Sequence, residues 1–159
     1  MERVSAIMAD DRYIKRMEEI KQAEVSRKYC RHGYEHLLSV ARIAYILSLE
    51  DNLDIKKDVI YGTALLHDIA RFSELEKKTN HRIAGPVLAK PILTDAGYSA
   101  EEVKEMCEAI ELHGTFPDET GTLAAILYRA DKLSRNCFDC EMTDTCNWPD
   151  ERKNLKVME

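Results

Sequence analysis

Residues 61–71 read YGTALLHDIAR, an almost uncharged run that ends in an adjacent histidine and aspartate, His67 and Asp68. Burying a carboxylate in such company costs several kcal/mol unless a cation or a hydrogen-bond network compensates it. The chain has five histidines. Four of them fall into an ordered set with two aspartates: His36, His67-Asp68, His81, His113 and Asp131. Imidazole and carboxylate in such a series form a metal-ligand inventory, and the elements around them decide whether it can close on one centre.

Working outward from that run, spacings of three and four recur and the alternation of a half-buried strand is missing, so the fold expected is all-α. Asp10 or Asp11 caps a first helix reaching about Lys28, with Ile14, Met17, Ile20 and Val25 inward and its charges on a solvated face. After a turn at Gly33, a second helix carries His36 in its first turn and Leu37, Val40, Ala41, Ala44 and Leu47 on one side. Asp54 caps a third helix through Val59, Ile60, Ala64 and Leu65 into His67, Asp68 and Ile69. Its small Gly62, Thr63 and Ala64 permit a neighbouring helix to approach closely. The polar RFSELEKKTN reads as a loop, and Gly85-Pro86 as a helix start or kink just after His81. Ser99 with Glu102 three residues on is a capping box opening a helix to His113. GTFPDETG connects it to a last helix from about Thr122 through Leu123, Ile126, Leu127 and Ala130 to Asp131.

The 159 residues suffice for one core, and no repeat or linker marks a second domain. The expected division is residues 1–136 as the helical metal-binding domain and 137–159 as a cysteine-containing tail, packed on it or extending from it. The 23 basic and 29 acidic residues leave a net charge of -6, which excludes general attraction to a nucleic-acid backbone. A small anionic substrate would need a local basic pocket. No run approaches the length of a membrane helix, and MERVSAIMADDRY is too acidic for a signal peptide, so a cytoplasmic protein is expected, with homo-oligomerisation left open. Five cysteines without a secretory signature argue for free thiols or metal ligands over disulfides.

Consecutive helix residues diverge by about 100°, so His67 and Asp68 share an ion only if other helices supply the remaining ligands across from them. His36 and Asp131 have the right chemistry, and a mixed imidazole and carboxylate set suits Mn, Fe, Ni, Co or Zn. The bland alternative is a hydrogen-bonded polar pair in the core, with His36 and Asp131 on the surface. His81 and His113, each just before a glycine-containing bend, are candidates for a second ion or for substrate hydrogen bonds. His32, four residues before His36, reads as solvent-facing.

These pieces resemble the HD-domain superfamily of metal-dependent phosphohydrolases. EHLLSVARIAYIL is similar to its first-histidine helix, ALLHDIARF to its His-Asp helix and ILYRADKLSR to its final-aspartate helix, together covering about residues 30–136. The resemblance implies a compact single-domain helical bundle with His36, His67, Asp68 and Asp131 as ligands. NHRIAGPVLA and IELHG resemble the insertions of a six-ligand, two-metal branch that includes hydrolases of dinucleoside polyphosphates. His81 and His113 would then join, and Asp68 would bridge the ions. HDIAR stands where such branches often have HDIGK.

One or two divalent transition-metal ions would activate water and neutralise a phosphoryl oxygen of a small phosphorylated substrate, a nucleotide or related metabolite. Asp68, Arg71 and Lys132 are the expected catalytic residues. Arg71, Lys132 and Arg135 are candidates for the phosphate, although Arg71 could instead pair on the surface with Glu74 or Glu76. The proton donor is open among Glu35, Glu111 and His32. Cys137, Cys140 and Cys146 form a candidate second metal site, with Cys30, Cys107 or His32 as a fourth ligand. A diiron oxygenase on the same scaffold and a non-catalytic metal- or nucleotide-binding module are the competing classes.

Overall fold

The computed structural model describes residues 1–72, 80–115 and 119–157, and among these it is an all-helical, compact single domain. Its helices are α1 (Glu2–Ala9), α2 (Asp11–Ala23), α3 (Tyr34–Glu50), α4 (Lys57–Leu66), α5 (His81–Asp95), α6 (Ala100–Leu112) and α7 (Leu123–Leu133). Three 3₁₀ turns follow, at Cys137–Asp139, Thr143–Thr145 and Asp150–Arg152.

The central element is α4, which packs against α1, α3, α5, α6 and α7. Val59, Ile60, Ala64, Leu65 and Leu66 are all buried, so the helix is apolar all round, as an enclosed helix must be. Burying each large aliphatic contributes roughly 1.5–3 kcal/mol, which outweighs the weak helix propensity of Gly62 and Thr63. A Cβ on Gly62 would lie 2.7 Å from Tyr98 Oη and 2.9 Å from Met106 Cε, which gives the expected close approach its atomic cause. Arg3 ties α1 to this assembly, with Nε 2.7 Å from Asp58 and Nη1 2.5 Å from Glu102.

Several boundaries differ from the sequence expectation. Asp10 does cap α2, accepting from the Arg12 amide at 2.8 Å, but the helix stops at Ala23, not Lys28. Ile14 is 47% and Val25 68% exposed, and the inward face is Tyr13, Met17 and Ile20, continued at helical spacing by a buried Glu24. The short α1, with only Val4 and Ile7 inward, went unrecognised. Asp54 is exposed and caps nothing: α4 starts after Lys56, and Asp58 supplies the acidic first turn. Gly85 and Pro86 lie inside α5, which begins at His81 under an Asn80 cap. Gly85 is small because a Cβ there would come within 2.9 Å of Ile110 Cγ2 on α6. The Ser99–Glu102 capping box is present in both directions, and Thr122 caps α7 through the Ala125 amide at 3.1 Å. Most of RFSELEKKTN and the middle of GTFPDETG lie outside the described residues.

The tail folds back on the end of α7. Asn154 Nδ2 donates to the carbonyls of Lys132 at 2.9 Å and Arg135 at 2.8 Å, satisfying carbonyls that the helix end leaves open. No helix among the described residues is long and apolar enough to cross a membrane.

Candidate metal centre

The helix α4 ends at Leu66, so His67 is its C-cap and Asp68 stands in the turn beyond, which corrects the expected continuation through Ile69. The turn is closed by the Ile69 amide on Leu66 O at 3.1 Å and the Arg71 amide on Asp68 O at 2.9 Å. Within it the two consecutive side chains converge, with His67 Nε2 3.3 Å from Asp68 Oδ2.

Three imidazoles have their tautomers set by neighbours. His67 Nδ1 donates to Ala64 O at 2.7 Å and His113 Nδ1 to Ile110 O at 2.6 Å. Ser134 Oγ gives its proton to Asp131 O at 2.8 Å, so at 3.1 Å from His36 Nδ1 it can only accept. Each ring therefore turns an Nε2 lone pair inward, the arrangement in which backbone or hydroxyl partners orient a ligating histidine.

These three Nε2 atoms, together with that of His81, which also lies 3.2 Å from His113 Nε2, surround Asp68. Its Oδ2 lies 3.7 Å from His36 Nε2 and 3.3 Å from His67 Nε2, while its Oδ1 lies 3.5 Å from His81 Nε2 and 3.6 Å from His113 Nε2. Asp131 Oδ1 comes within 3.3 Å of His36 Nε2 and 4.0 Å of His67 Nε2. Such spacings are long for hydrogen bonds, and close to the roughly 3.0–3.5 Å between neighbouring ligand atoms held at about 2.1 Å around one ion. His36, His67 and Asp68 form one group able to hold a metal ion and Asp68, His81 and His113 another, with ligand atoms in each within 4.8 Å of one another. All are buried, and His67 Nε2 and Asp68 Oδ1 make no hydrogen bond. A divalent cation would satisfy both atoms. Burial alone would raise the Asp68 carboxyl; were His67 protonated, its charge and donation from His113 and His36 would outweigh burial and hold Asp68 well below the usual range, as a bound cation would. The Asp131 carboxyl is lowered in the same way, burial being outweighed by His36, His67, Arg135 and Lys132.

The basic candidates take distinct places. Arg71 Nη1 reaches His81 Nδ1 at 3.0 Å and its Nη2 reaches His32 Nε2 at 3.1 Å, while Glu74 and Glu76 lie outside the described residues. Arg135 Nη2 meets Asp131 Oδ1 at 3.1 Å and His36 Nε2 at 3.3 Å. Lys132 Nζ is held on Asp131 Oδ2 at 2.5 Å, where it fixes that carboxylate.

His32 is the main correction: it is buried beside the centre, not solvent-facing. Glu24, only 3% exposed, accepts from the His32 amide at 2.8 Å and from its Nδ1, which points Nε2 at Arg71. Burial would raise the Glu24 carboxyl, but these hydrogen bonds keep it below its ordinary value; burial lowers His32. Sequence reasoning placed Glu24 on a solvated face, and the signal available was its spacing from Tyr13, Met17 and Ile20. Glu35 and Glu111 are exposed.

The cysteines are free thiols. Cys30, Cys137, Cys140 and Cys146 line one cavity of about 500 Å³, bounded also by His36 and Arg135. Cys107 lies elsewhere, its thiol against Pro86 O at 3.7 Å. Among the described residues no cysteine joins two further ligands within 4.8 Å.

The HD-domain profile matches residues 33–136, a span that contains Asp68 and the five candidate ligands gathered with it. The chain belongs to the HD-domain family, whose members are generally metal-dependent phosphohydrolases. It is 41% identical over 157 residues, 99% of each chain, to a protein of Clostridium beijerinckii described as uncharacterized. Over 106 residues, 67% of this chain, it is 29% identical to ribonuclease Y of Mycoplasma capricolum subsp. capricolum and of Mycoplasma mycoides subsp. mycoides, spanning only 19% of those longer proteins. No solved structure matches it.

Proposed function

We propose that this protein is a two-metal hydrolase of a small phosphate ester, a nucleotide or related metabolite. The observation that carries this reading is the division of Asp68, with one oxygen facing His36 and His67 and the other facing His81 and His113. In this assignment His36, His67, Asp131 and Asp68 would hold one divalent ion, and His81, His113 and Asp68 would hold the other. The ions would supply Lewis-acid polarisation of a phosphoryl oxygen and activation of water at neutral pH.

The protein's own residues do the rest. Ser134, Ala64 O and Ile110 O fix ring orientation. Arg71 and Arg135 flank the centre with guanidinium donors suited to phosphoryl oxygens, and Glu24 through His32 holds Arg71 in place. Lys132 positions Asp131, a role different from the phosphate contact expected of it. A chain of net charge -6 thus concentrates cationic groups where a small anion would react. The division into residues 1–136 and a packed tail is part of the same proposal.

The test is chromatographic detection of hydrolysis products from nucleoside mono-, di- and triphosphates, a dinucleoside polyphosphate and a short RNA, with Mn, Fe, Co or Ni added. Wild type should turn over a small nucleotide and Asp68→Ala should not. Equal turnover in both would reject the assigned centre, and turnover of the RNA alone would reject the substrate class.

A further inference from the structure

Four of the five cysteines meet at one place in the fold although they come from distant parts of the chain. Cys30 precedes α3, whereas Cys137, Cys140 and Cys146 lie more than a hundred residues later, yet all line the cavity of about 500 Å³. Contacts at both neighbours of Cys30 stitch the two segments together. Tyr29 Oη donates to Thr145 O at 3.0 Å, next to Cys146, and Arg31 O faces Arg135 Nη1 at 3.5 Å. The Cys30 carbonyl is itself anchored by Arg27 Nε at 2.7 Å. In the tail, Thr143 Oγ1 donates to Cys137 O at 2.5 Å and Lys153 Nζ to Thr143 O at 3.0 Å. Gathering four free thiols around a cavity in this way has no packing rationale, since all four are at least partly exposed.

The charge of the cavity wall suits an anionic group. Lys28, Arg31, Arg135 and Lys153 line it with the cysteines against the single carboxylate of Glu35, which complements the net negative charge of a thiolate-ligated cluster. The sulfurs are not gathered as they would be around one ion. A single tetrahedral zinc with Zn–S of about 2.3 Å brings its sulfurs to about 3.8 Å from one another. No three cysteine sulfurs lie within even 4.8 Å of one another among the described residues. Four thiolates spread around a cavity suit a cluster in which the irons are bound at separate corners.

We infer that Cys30, Cys137, Cys140 and Cys146 bind an iron–sulfur cluster beside the His/Asp centre. Of the three fourth ligands open in the sequence, the structure selects Cys30: Cys107 lies in a different groove, and His32 is engaged by Glu24 and Arg71. The inference stands on the cysteines alone and does not depend on the hydrolase reading.

The experiment is anaerobic purification, reconstitution with ferrous iron and sulfide, and measurement of iron, acid-labile sulfide, zinc and visible absorption. It is repeated in Asp68→Ala so that iron at the His/Asp centre is not counted. Wild type and Asp68→Ala should hold stoichiometric sulfide with a broad visible band. Cys30→Ser and Cys146→Ser should each lose most of both, and Cys107→Ser should keep them. Circular dichroism of the serine variants should remain that of the wild type, showing that loss of the cluster is not loss of the fold. Absence of sulfide from wild type, sulfide unchanged in Cys30→Ser, or one zinc per chain held by the four cysteines without sulfide would each overturn the inference.

Discussion

Replacing Ser134 by alanine probes the centre without removing a ligand. The Ser134 hydroxyl donates to Asp131 O at 2.8 Å and accepts from His36 Nδ1 at 3.1 Å, so it holds His36 in the tautomer whose Nε2 lone pair faces Asp68 and Asp131. In Ser134→Ala the Nδ1–H loses its acceptor inside a buried ring, and the competing Nε2–H tautomer, which cannot ligate, gains population. Loss of such an orienting partner costs about 10- to 100-fold in metal affinity. That is about 1.4–2.8 kcal/mol. The assay is competition for Mn or Co against a chromophoric chelator, with Ser134→Thr as the variant that restores the hydroxyl. Affinity should fall in the alanine variant and recover in the threonine variant. Wild-type affinity in Ser134→Ala would refute the argument that Ser134 sets the ligating tautomer.

Glu24→Gln removes the charge that orients His32 and, through it, Arg71; it should lower kcat/KM by about tenfold or more while metal content stays at the wild-type level. A parallel fall in bound metal would place Glu24 in the metal centre instead. Gly62→Ala should destabilise the fold, because the new Cβ at 2.7 Å from Tyr98 Oη costs about 1–3 kcal/mol in overpacking against at most about 1 kcal/mol of helix propensity gained. Urea unfolding at unchanged or increased stability would contradict the packing described for α4. The Glu102 carboxyl is held down to about 2 from 4.5, chiefly by the Arg3 hydrogen bond. Because the folded value is depressed, its stabilisation is complete above 4.5 and is lost as pH falls toward 2. Arg3→Ala should remove about 1–2 kcal/mol at neutral pH and flatten the acid limb, and an unaltered acid limb would show that the ion pair contributes nothing.

The residues that the fold brings together at Asp68 were legible where they end apolar helical faces. His36, His113 and Asp131 each terminate or open such a face, and His67-Asp68 follows the most enclosed helix of the fold. The charged residues behind them were not. Glu24 continues the buried stripe of α2, but a glutamate near a helix end has the same local pattern whether water or His32 satisfies it. His32 was misplaced because Gly33 caps α3, so its position follows the loop before the helix and not the helical phase of His36. The partner of the C-terminal cysteines could not be chosen, since nothing local to Cys30 or Cys107 tells which one the returning tail will meet. Helix ends were displaced at Asp54 and Gly85-Pro86 because tertiary contacts, such as Gly85 against Ile110, override local capping and breaking signals.

Anomalous diffraction from crystals grown with Mn or Fe tests the assignment most directly. It should show two peaks about 3.5–4 Å apart, one on the His36 and His67 side of Asp68 and one on the His81 and His113 side. A single peak, or peaks that leave one Asp68 oxygen without a metal, would contradict a bridging carboxylate and the two-metal chemistry built on it.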